Sequence, residues 1–266
     1  MTSLADSIPA MGSILNATLG LVGVLTLLRW DIMQKQKSIG GRHRPKGLTI
    51  LYEDRDILVV DKAAGLLTMG TDREKVKTAY RGLTDYVRKG NPKSRARVFI
   101  VHRLDREVSG ILLFARTFAA KETLQTQWPR VEKRYLALVR GRPAERDGTF
   151  SSRLVERGVD RVHATSDSKR GKLSQTAYTV LGHSRGISLL EINLLTGRKH
   201  QIRVQLADHD LPIVGDRKYG GDQSGEGRLA LHAKSIRFEH PHSGKRCFFE
   251  TETPSIFSAY RASESS

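Results

Sequence analysis

The chain has 266 residues, of which 38 % are hydrophobic and only 6 % aromatic, and its 45 Lys and Arg against 28 Asp and Glu leave a formal net charge of +17. That length allows one large domain or two small ones with complete cores, and so large a surplus of positive charge exceeds anything folding requires, so a polyanion is the expected partner. The single cysteine, Cys247, excludes an intrachain disulfide and a thiolate zinc site.

The basic residues gather at 35–46, 88–97, 130–142, 169–172 and 198–203. Such spacing predicts a broad basic face, with nucleic acid as the favoured partner and membrane lipid as its rival. The nine histidines do not assemble a metal site. His240 and His242 flank Pro241 in an expected turn, and no carboxylate stands at ligand spacing from them. No metal is expected.

In chain order, residues 1–47 come first as an apolar and then basic segment. Residues 7–28 carry no charge, and the run ILNATLGLVGVLTLL with its flanks is long enough to cross a bilayer. Ser13, Asn16, Thr18, Thr26 and three glycines weaken it, while Asp6 and the lack of a basic start argue against a secretory signal. Arg29, Lys35, Lys37, Arg42 and Arg44 follow it, so an inserted helix would leave the rest of the chain in the cytoplasm. Three readings stay open for this segment: a leader arising from a misplaced start, with the working chain opening near Met33; a membrane anchor, which only residues 7–28 could supply; and a helix packed on the domain. A chain truncated to begin at Met33 separates them.

From residue 48 the pattern is that of a folded domain. LTILYEDRDILVVDK reads as a hairpin turning at Glu53 to Asp56. AYRGLTDYVRKG places Tyr80, Leu83 and Val87 at helical spacing and stops at Gly90, a C-cap residue. GILLFAR is a continuously apolar, buried strand, and Thr117 can cap a helix in which Ala120, Leu124 and Trp128 share a face. RYLALVRG, QTAYTVLGH and GISLLEINLL continue as strands, and Thr196 can cap a helix holding Ile202 and Leu206. The loop GGDQSGEGR lacks the Lys-Ser/Thr of a P-loop. ALHAKSIRF and CFFETET are the last strands. Many strands with few helices predict an α+β domain around a mixed, largely antiparallel central sheet.

The segment HRLDREVSG at residues 102–110 places Asp105 between Arg103 and Arg106. A carboxylate hemmed in by cations suits a nucleophile or an ion-pair partner and does not suit a proton donor. Taken alone, an Arg-x-Asp is most often a surface ion pair.

Four segments together change that weighting, because HRLDREVSG, KRYLALVRG at 133–141, TGRKHQIRVQL at 196–206 and RLALHA at 228–233 resemble, in order and spacing, the motifs of the RluA-type pseudouridine synthase family. The resemblance runs from residue 48 to about 252 and implies that residues 48–260 form a catalytic domain of the pseudouridine synthase fold. It also implies roles. Asp105 corresponds to the family's essential Asp, Tyr135 to the tyrosine that lies against the target base, Arg203 to the arginine that pairs with the Asp, and Leu231 to the apolar residue lining the pocket. Val108 stands where the family usually has Thr, and Gln205 where a His is common.

The activity implied is the isomerisation of uridine to pseudouridine in rRNA or tRNA. That reaction breaks the bond between N1 and the ribose, turns the base and joins C5 to the same carbon. No atoms are gained or lost, so neither a cofactor nor a metal is expected. Asp105 would attack the glycosidic carbon or take a proton from the sugar, and the residues do not choose between these. Arg203 would keep the carboxylate oriented, and Tyr135 would stack on the base and could exchange the C5 proton. The target base must be flipped out of its stack. Arg103 is placed to fill the gap by stacking, and Arg198 and Lys199 at a helix start would contact phosphate. The expected working unit is a cytoplasmic monomer whose partner is RNA. One rival is a catalytically silent RNA-binding protein of the same fold, which would need a broken catalytic set. Another is a membrane-tethered basic scaffold, which leaves the four ordered motifs without a reason.

Overall fold

The computed structural model describes residues 45–70, 77–158, 161–167, 169–220 and 227–260. The apolar run at 7–28 and the centre of the loop at 220–228 lie outside the described residues. Among the described residues no helix is long and apolar enough to cross a membrane.

The first hairpin forms as its pattern predicts. β1 (Leu48–Glu53) pairs antiparallel with β2 (Ile57–Lys62). Its turn is fixed by Asp54, whose Oδ1 accepts the backbone N–H of Asp56 and of Ile57, both at 2.8 Å. Such a side chain substitutes for a backbone turn bond. Helix α1 (Ala79–Val87) is capped by Thr78, whose hydroxyl accepts from Arg81 N, and it buries Ala79, Leu83 and Tyr86 in the main core. It ends where Lys89 and Gly90 both take positive φ.

The short β3 (Phe99–Ile100) leads through the segment 101–108 into β4 (Ser109–Ala115), which is buried at every position. Burial on both faces is what its unbroken apolar run requires. Thr117 caps α2 (Phe118–Gln127) by accepting from Ala120 N, and Ala120 and Leu124 are the residues this helix buries. Trp128 does not continue the helix but opens a single 3-10 turn, Trp128–Arg130, held by Pro129.

β5 (Glu132–Arg140), β6 (Asp147–Arg157), β7 (Arg161–Thr165), β8 (Lys172–Ser184) and β9 (Ile187–Leu194) follow. α3 is Gln201–Asp208, and the domain continues through β10 (Leu231–Glu239), β11 (Arg246–Glu250) and a final turn, α4 (Ser255–Ser258). The sheet runs β1-β2-β4-β10-β5-β9-β8-β6-β7, with β3 beside β4 and β11 beside β10. Among the described strand pairs only β4 with β10 is parallel, apart from an isolated parallel bridge between Leu67 and Thr78. The fold is therefore α+β with a mixed, largely antiparallel sheet and few helices, as expected.

The parallel join is tight. Gly110 has φ +111° and a Cβ there would meet Ala233 O at 2.2 Å, so only glycine permits β4 and β10 to approach at this point.

Two expectations are corrected. Thr196 does not cap α3: its hydroxyl accepts from Gln175 N and donates to Gln201 Oε1, so it is committed to β8 and to a side chain, and the helix starts at Gln201 behind His200. His240 does have a carboxylate neighbour, because Asp54, 186 residues away in sequence, meets its Nε2 at 2.8 Å. Together with Asp56 these are three potential ligands within 4.8 Å. His240 Nδ1 accepts from the backbone N–H of His242 and of Ser243, so Nε2 carries the proton and donates to Asp54. The group is satisfied as a hydrogen-bonded turn.

Candidate active site

Asp105 sits in the segment between β3 and β4, and the groups beneath it hold that segment from several sides. Leu104 and Val108 are buried to either side of it, 7 % and 3 % exposed, and Thr68 both donates to Leu104 O at 2.8 Å and accepts from Leu104 N at 3.1 Å. Lys62, at the end of β2, is fully buried and donates from Nζ to the carbonyls of Ala63, Leu66 and Arg106 at 3.0, 2.8 and 3.2 Å. Burial drags its ammonium down to about 8, and the negative charges of Asp105, Glu107 and Asp61 only partly oppose that. Rigid support of this kind fixes where a reacting carboxylate points.

Arg203 reaches Asp105 from α3, 98 residues away in sequence, and donates from Nη1 to Oδ2 at 3.0 Å. Its other face is held by Asp216, with Nε to Oδ2 at 2.8 Å and Nη2 to Oδ1 at 2.9 Å. This bidentate pair is almost fully buried, with side chains 6 % and 1 % exposed. Burial works against the charge of Arg203, but the hydrogen bonds and charge of Asp216, followed by those of Asp105, more than offset it and hold the guanidinium above its ordinary value. Burial likewise pushes Asp216 up, yet Arg203 and the backbone N–H groups of Tyr219 and Lys218 bring it below the usual carboxylate range. The guanidinium also lies over the Tyr219 ring, 5.3 Å from its centroid.

Tyr135 in β5 pairs with Ala233 in β10, and Ala233 pairs with Gly110 in β4, so the tyrosine is aligned across the sheet with the strand that follows the Asp105 segment. Burial first, and then the charge of Asp105, push its phenol upward. Leu231, two residues before Ala233, is 3 % exposed and belongs with Tyr135 to the main core. Arg103 and Arg198 are exposed, while Lys199 is half-buried and stands 4.0 Å from Glu156.

The structure thus brings Asp105 and Arg203 into contact and places Tyr135 within electrostatic reach, whereas Arg103 and Arg198 point outward. The departures at Val108 and Gln205 are both interior. Val108 joins the core, and Gln205 is fully buried, accepting from Thr176 Oγ1 at 2.6 Å and donating to Ser152 Oγ and Ser174 O at 2.9 Å. Gln205 ties α3 to β6 and β8 and so fixes the helix that carries Arg203.

Lys62, His200, Asp216 and Tyr219 were not singled out by sequence reasoning. Lys62 had one signal, a cation closing the apolar strand ILVVDK. Asp216 and Tyr219 had another, an Asp and a Tyr three residues apart between glycines in GDRKYGG. His200 had none, since only the structure brings its Nε2 to 3.7 Å from Asp105.

The site thus presents one partly exposed carboxylate oriented by a buried arginine, an arrangement in which a carboxylate can react with a bound group. Comparisons with known proteins give the family. The family model for RNA pseudouridylate synthase matches residues 56–208. The chain is 35 % identical over 217 residues to an RNA pseudouridine synthase of Bacillus subtilis named YlyB and described as uncharacterised, covering 79 % of this chain and 70 % of that protein. It is 34 % identical over 223 residues to ribosomal large subunit pseudouridine synthase D of Nitrosomonas europaea, covering 80 % of this chain and 64 % of that one. Among solved structures, human RNA pseudouridylate synthase domain containing 1 matches with a TM-score of 0.65 at 28 % identity, covering 84 % of this chain and 91 % of its own. The chain belongs to the RNA pseudouridylate synthase family, whose members are RNA isomerases.

Proposed function

We propose that residues 48–260 form a catalytic domain that converts particular uridines in structured RNA, rRNA or tRNA, to pseudouridine, with Asp105 as the reacting carboxylate. The observation that carries this reading is the contact of Asp105 Oδ2 with Arg203 Nη1 at 3.0 Å, which joins the first and third motifs in the arrangement the chemistry requires. Asp105 acts at the glycosidic carbon or at the sugar proton beside it, and Arg203 holds its far oxygen so that the near one faces the ribose. Tyr135 lies against the base, and its hydroxyl handles the C5 proton after the new bond forms. Leu231 lines the pocket. Arg103 occupies the gap left by the flipped base, and Arg198 and Lys199 hold phosphates.

RNA is the partner, the working unit is a monomer in the cytoplasm, and the reaction proceeds without cofactor or metal because it neither adds nor removes atoms. Residues 1–47 lie outside the proposed catalytic domain. The test is to map pseudouridines in rRNA and tRNA from cells with and without the gene, then to repeat the modification with purified protein. Sites that vanish without the gene and reappear in vitro support the reading, and unchanged maps sink it.

A further inference from the structure

Four non-glycine residues among those described take positive φ: Lys89, Arg185, His200 and Asp210. Three are exposed turn residues, where such a conformation is common. His200 is different. Its φ is +54°, it stands at the start of α3 without making a side-chain cap, and its side chain is only 8 % exposed. Local structure would favour Gly or Asn there. An unfavourable backbone that is kept with a buried imidazole points to a use for that imidazole.

The hydrogen bonds fix its tautomer. The Tyr219 hydroxyl accepts from Val162 N at 3.1 Å and lies 2.7 Å from His200 Nδ1. Among the described residues Nδ1 is the acceptor within reach of the phenol O–H, so the phenol donates to Nδ1, which leaves the proton of a neutral imidazole on Nε2. That Nε2 faces Asp105 Oδ2 at 3.7 Å, and Oδ2 is the same oxygen that Arg203 holds at 3.0 Å. Burial keeps the ring neutral, and although Asp105 opposes this, Arg203, Lys218 and Lys199 all add to it.

We propose that His200 is a positioning residue: locked by Tyr219 in the Nε2–H form, it donates to Oδ2 of Asp105 once RNA fills the cleft, so that Oδ1 alone is turned to the ribose. The 3.7 Å gap is of the kind that closes when substrate excludes water, as catalytic hydrogen bonds are often long in free enzymes. The chain Val162, Tyr219, His200, Asp105 thereby links β7 and the loop after α3 to the reacting group. This rests on the proposed role of Asp105, and it adds a donor that does not change the charge of the site.

Two measurements test it. Imidazole nitrogen shifts of His200 in the free protein, which need no substrate, should show Nδ1 as acceptor and Nε2 protonated at neutral pH. The Nδ1–H tautomer would contradict the proposal. The second is the variant His200→Gly, which keeps the backbone conformation and removes the ring. With an RNA that the wild type modifies, its single-turnover rate should fall at least about tenfold, since a misplacement of about 1 Å can cost on the order of 100-fold. RNA affinity should stay within about threefold and the melting temperature should not drop. A wild-type rate, or a rate loss accompanied by equal losses of affinity or melting temperature, overturns the proposal. Failure of the wild type on every RNA would instead count against the function, and the tautomer measurement would still decide the geometry.

Discussion

Asp216 grips Arg203 through both carboxylate oxygens, at 2.8 and 2.9 Å, and so leaves Nη1 to meet Asp105. The two carboxylates hydrogen-bonded to this guanidinium are unequal, because the Asp216 side chain is 1 % exposed and that of Asp105 is 25 % exposed. The buried one sets the arginine, and the arginine sets the other.

Asp216→Asn should therefore cost more stability than Asp105→Asn. Removing one partner of a buried ion pair typically costs about 3–5 kcal/mol, and the surviving contact with Asp105 should keep the loss near the lower end. Its folded carboxyl lies below the usual range, so its contribution is present above the unfolded carboxylate value of about 4 and is lost as pH falls through the lower folded value. Denaturant midpoints measured between pH 7 and pH 3 should show a flatter acid limb for the variant. Equal midpoints for the two variants at pH 7 would refute the asymmetry.

Asp105→Asn should abolish pseudouridine formation while RNA affinity stays within a few fold, because the exposed cations proposed to hold phosphate are untouched. Measurable turnover by this variant discards the mechanism. Arg203→Ala should also lose activity, and it should lose stability as well, since Asp216 is then buried without its cation.

How far these residues were legible depended on whether their partners lay nearby in the chain. The β1–β2 hairpin, α1, α2 and most strands follow from local apolar pattern and caps, and Asp105, Tyr135 and Arg203 lay in recognisable motifs. β6 and β7 went unread because their buried positions are sparse, Phe150 and Leu154 being separated by Ser151, Ser152 and Arg153 and Val162 standing between Arg161 and His163, so they form no apolar run. Thr196 looked like a cap, but its hydroxyl was already committed to β8. Asp216, His200 and the pairing of Asp54 with His240 owe their meaning to contacts over 13, 95 and 186 residues, which no local pattern encodes.

Tyr135→Phe separates stacking from proton handling. With the ring stacked as proposed, Phe keeps that contact, so affinity for the RNA should stay within about twofold. If the hydroxyl handles the C5 proton, the rate of pseudouridine formation should fall by on the order of 100-fold, the usual scale for loss of a positioned acid or base. A variant at wild-type speed would leave Tyr135 only a stacking role.

Lys169 and Arg170 lie exposed between β7 and β8, remote in sequence from the motifs. Lys169→Ala and Arg170→Ala should each weaken RNA binding and lower the slope of log affinity against log salt by about 1, with the single-turnover rate at saturating RNA unchanged. Binding that keeps its full salt slope in both variants would remove this turn from the RNA-facing surface.

Lys62 offers a test in the alkaline range. Its folded value of about 8 lies below the ordinary 10.5, so between these values the unfolded chain binds more protons than the folded one. Stability must then rise with pH across that window, by on the order of 3 kcal/mol in total if nothing else titrates. Lys62→Met fills similar space without a titrating group, so wild type should gain on the variant steadily from pH 8 to pH 10.5. The same variant loses the hydrogen bond to Arg106 O that ties the Asp105 segment to β2, together with those to Ala63 O and Leu66 O in the turn after β2, so its catalytic rate should fall at pH 7.5 even where it remains folded. Parallel stability curves for the two proteins would mean that Lys62 is hydrated and not buried, and a normal rate would mean that the Asp105 segment holds its shape without it.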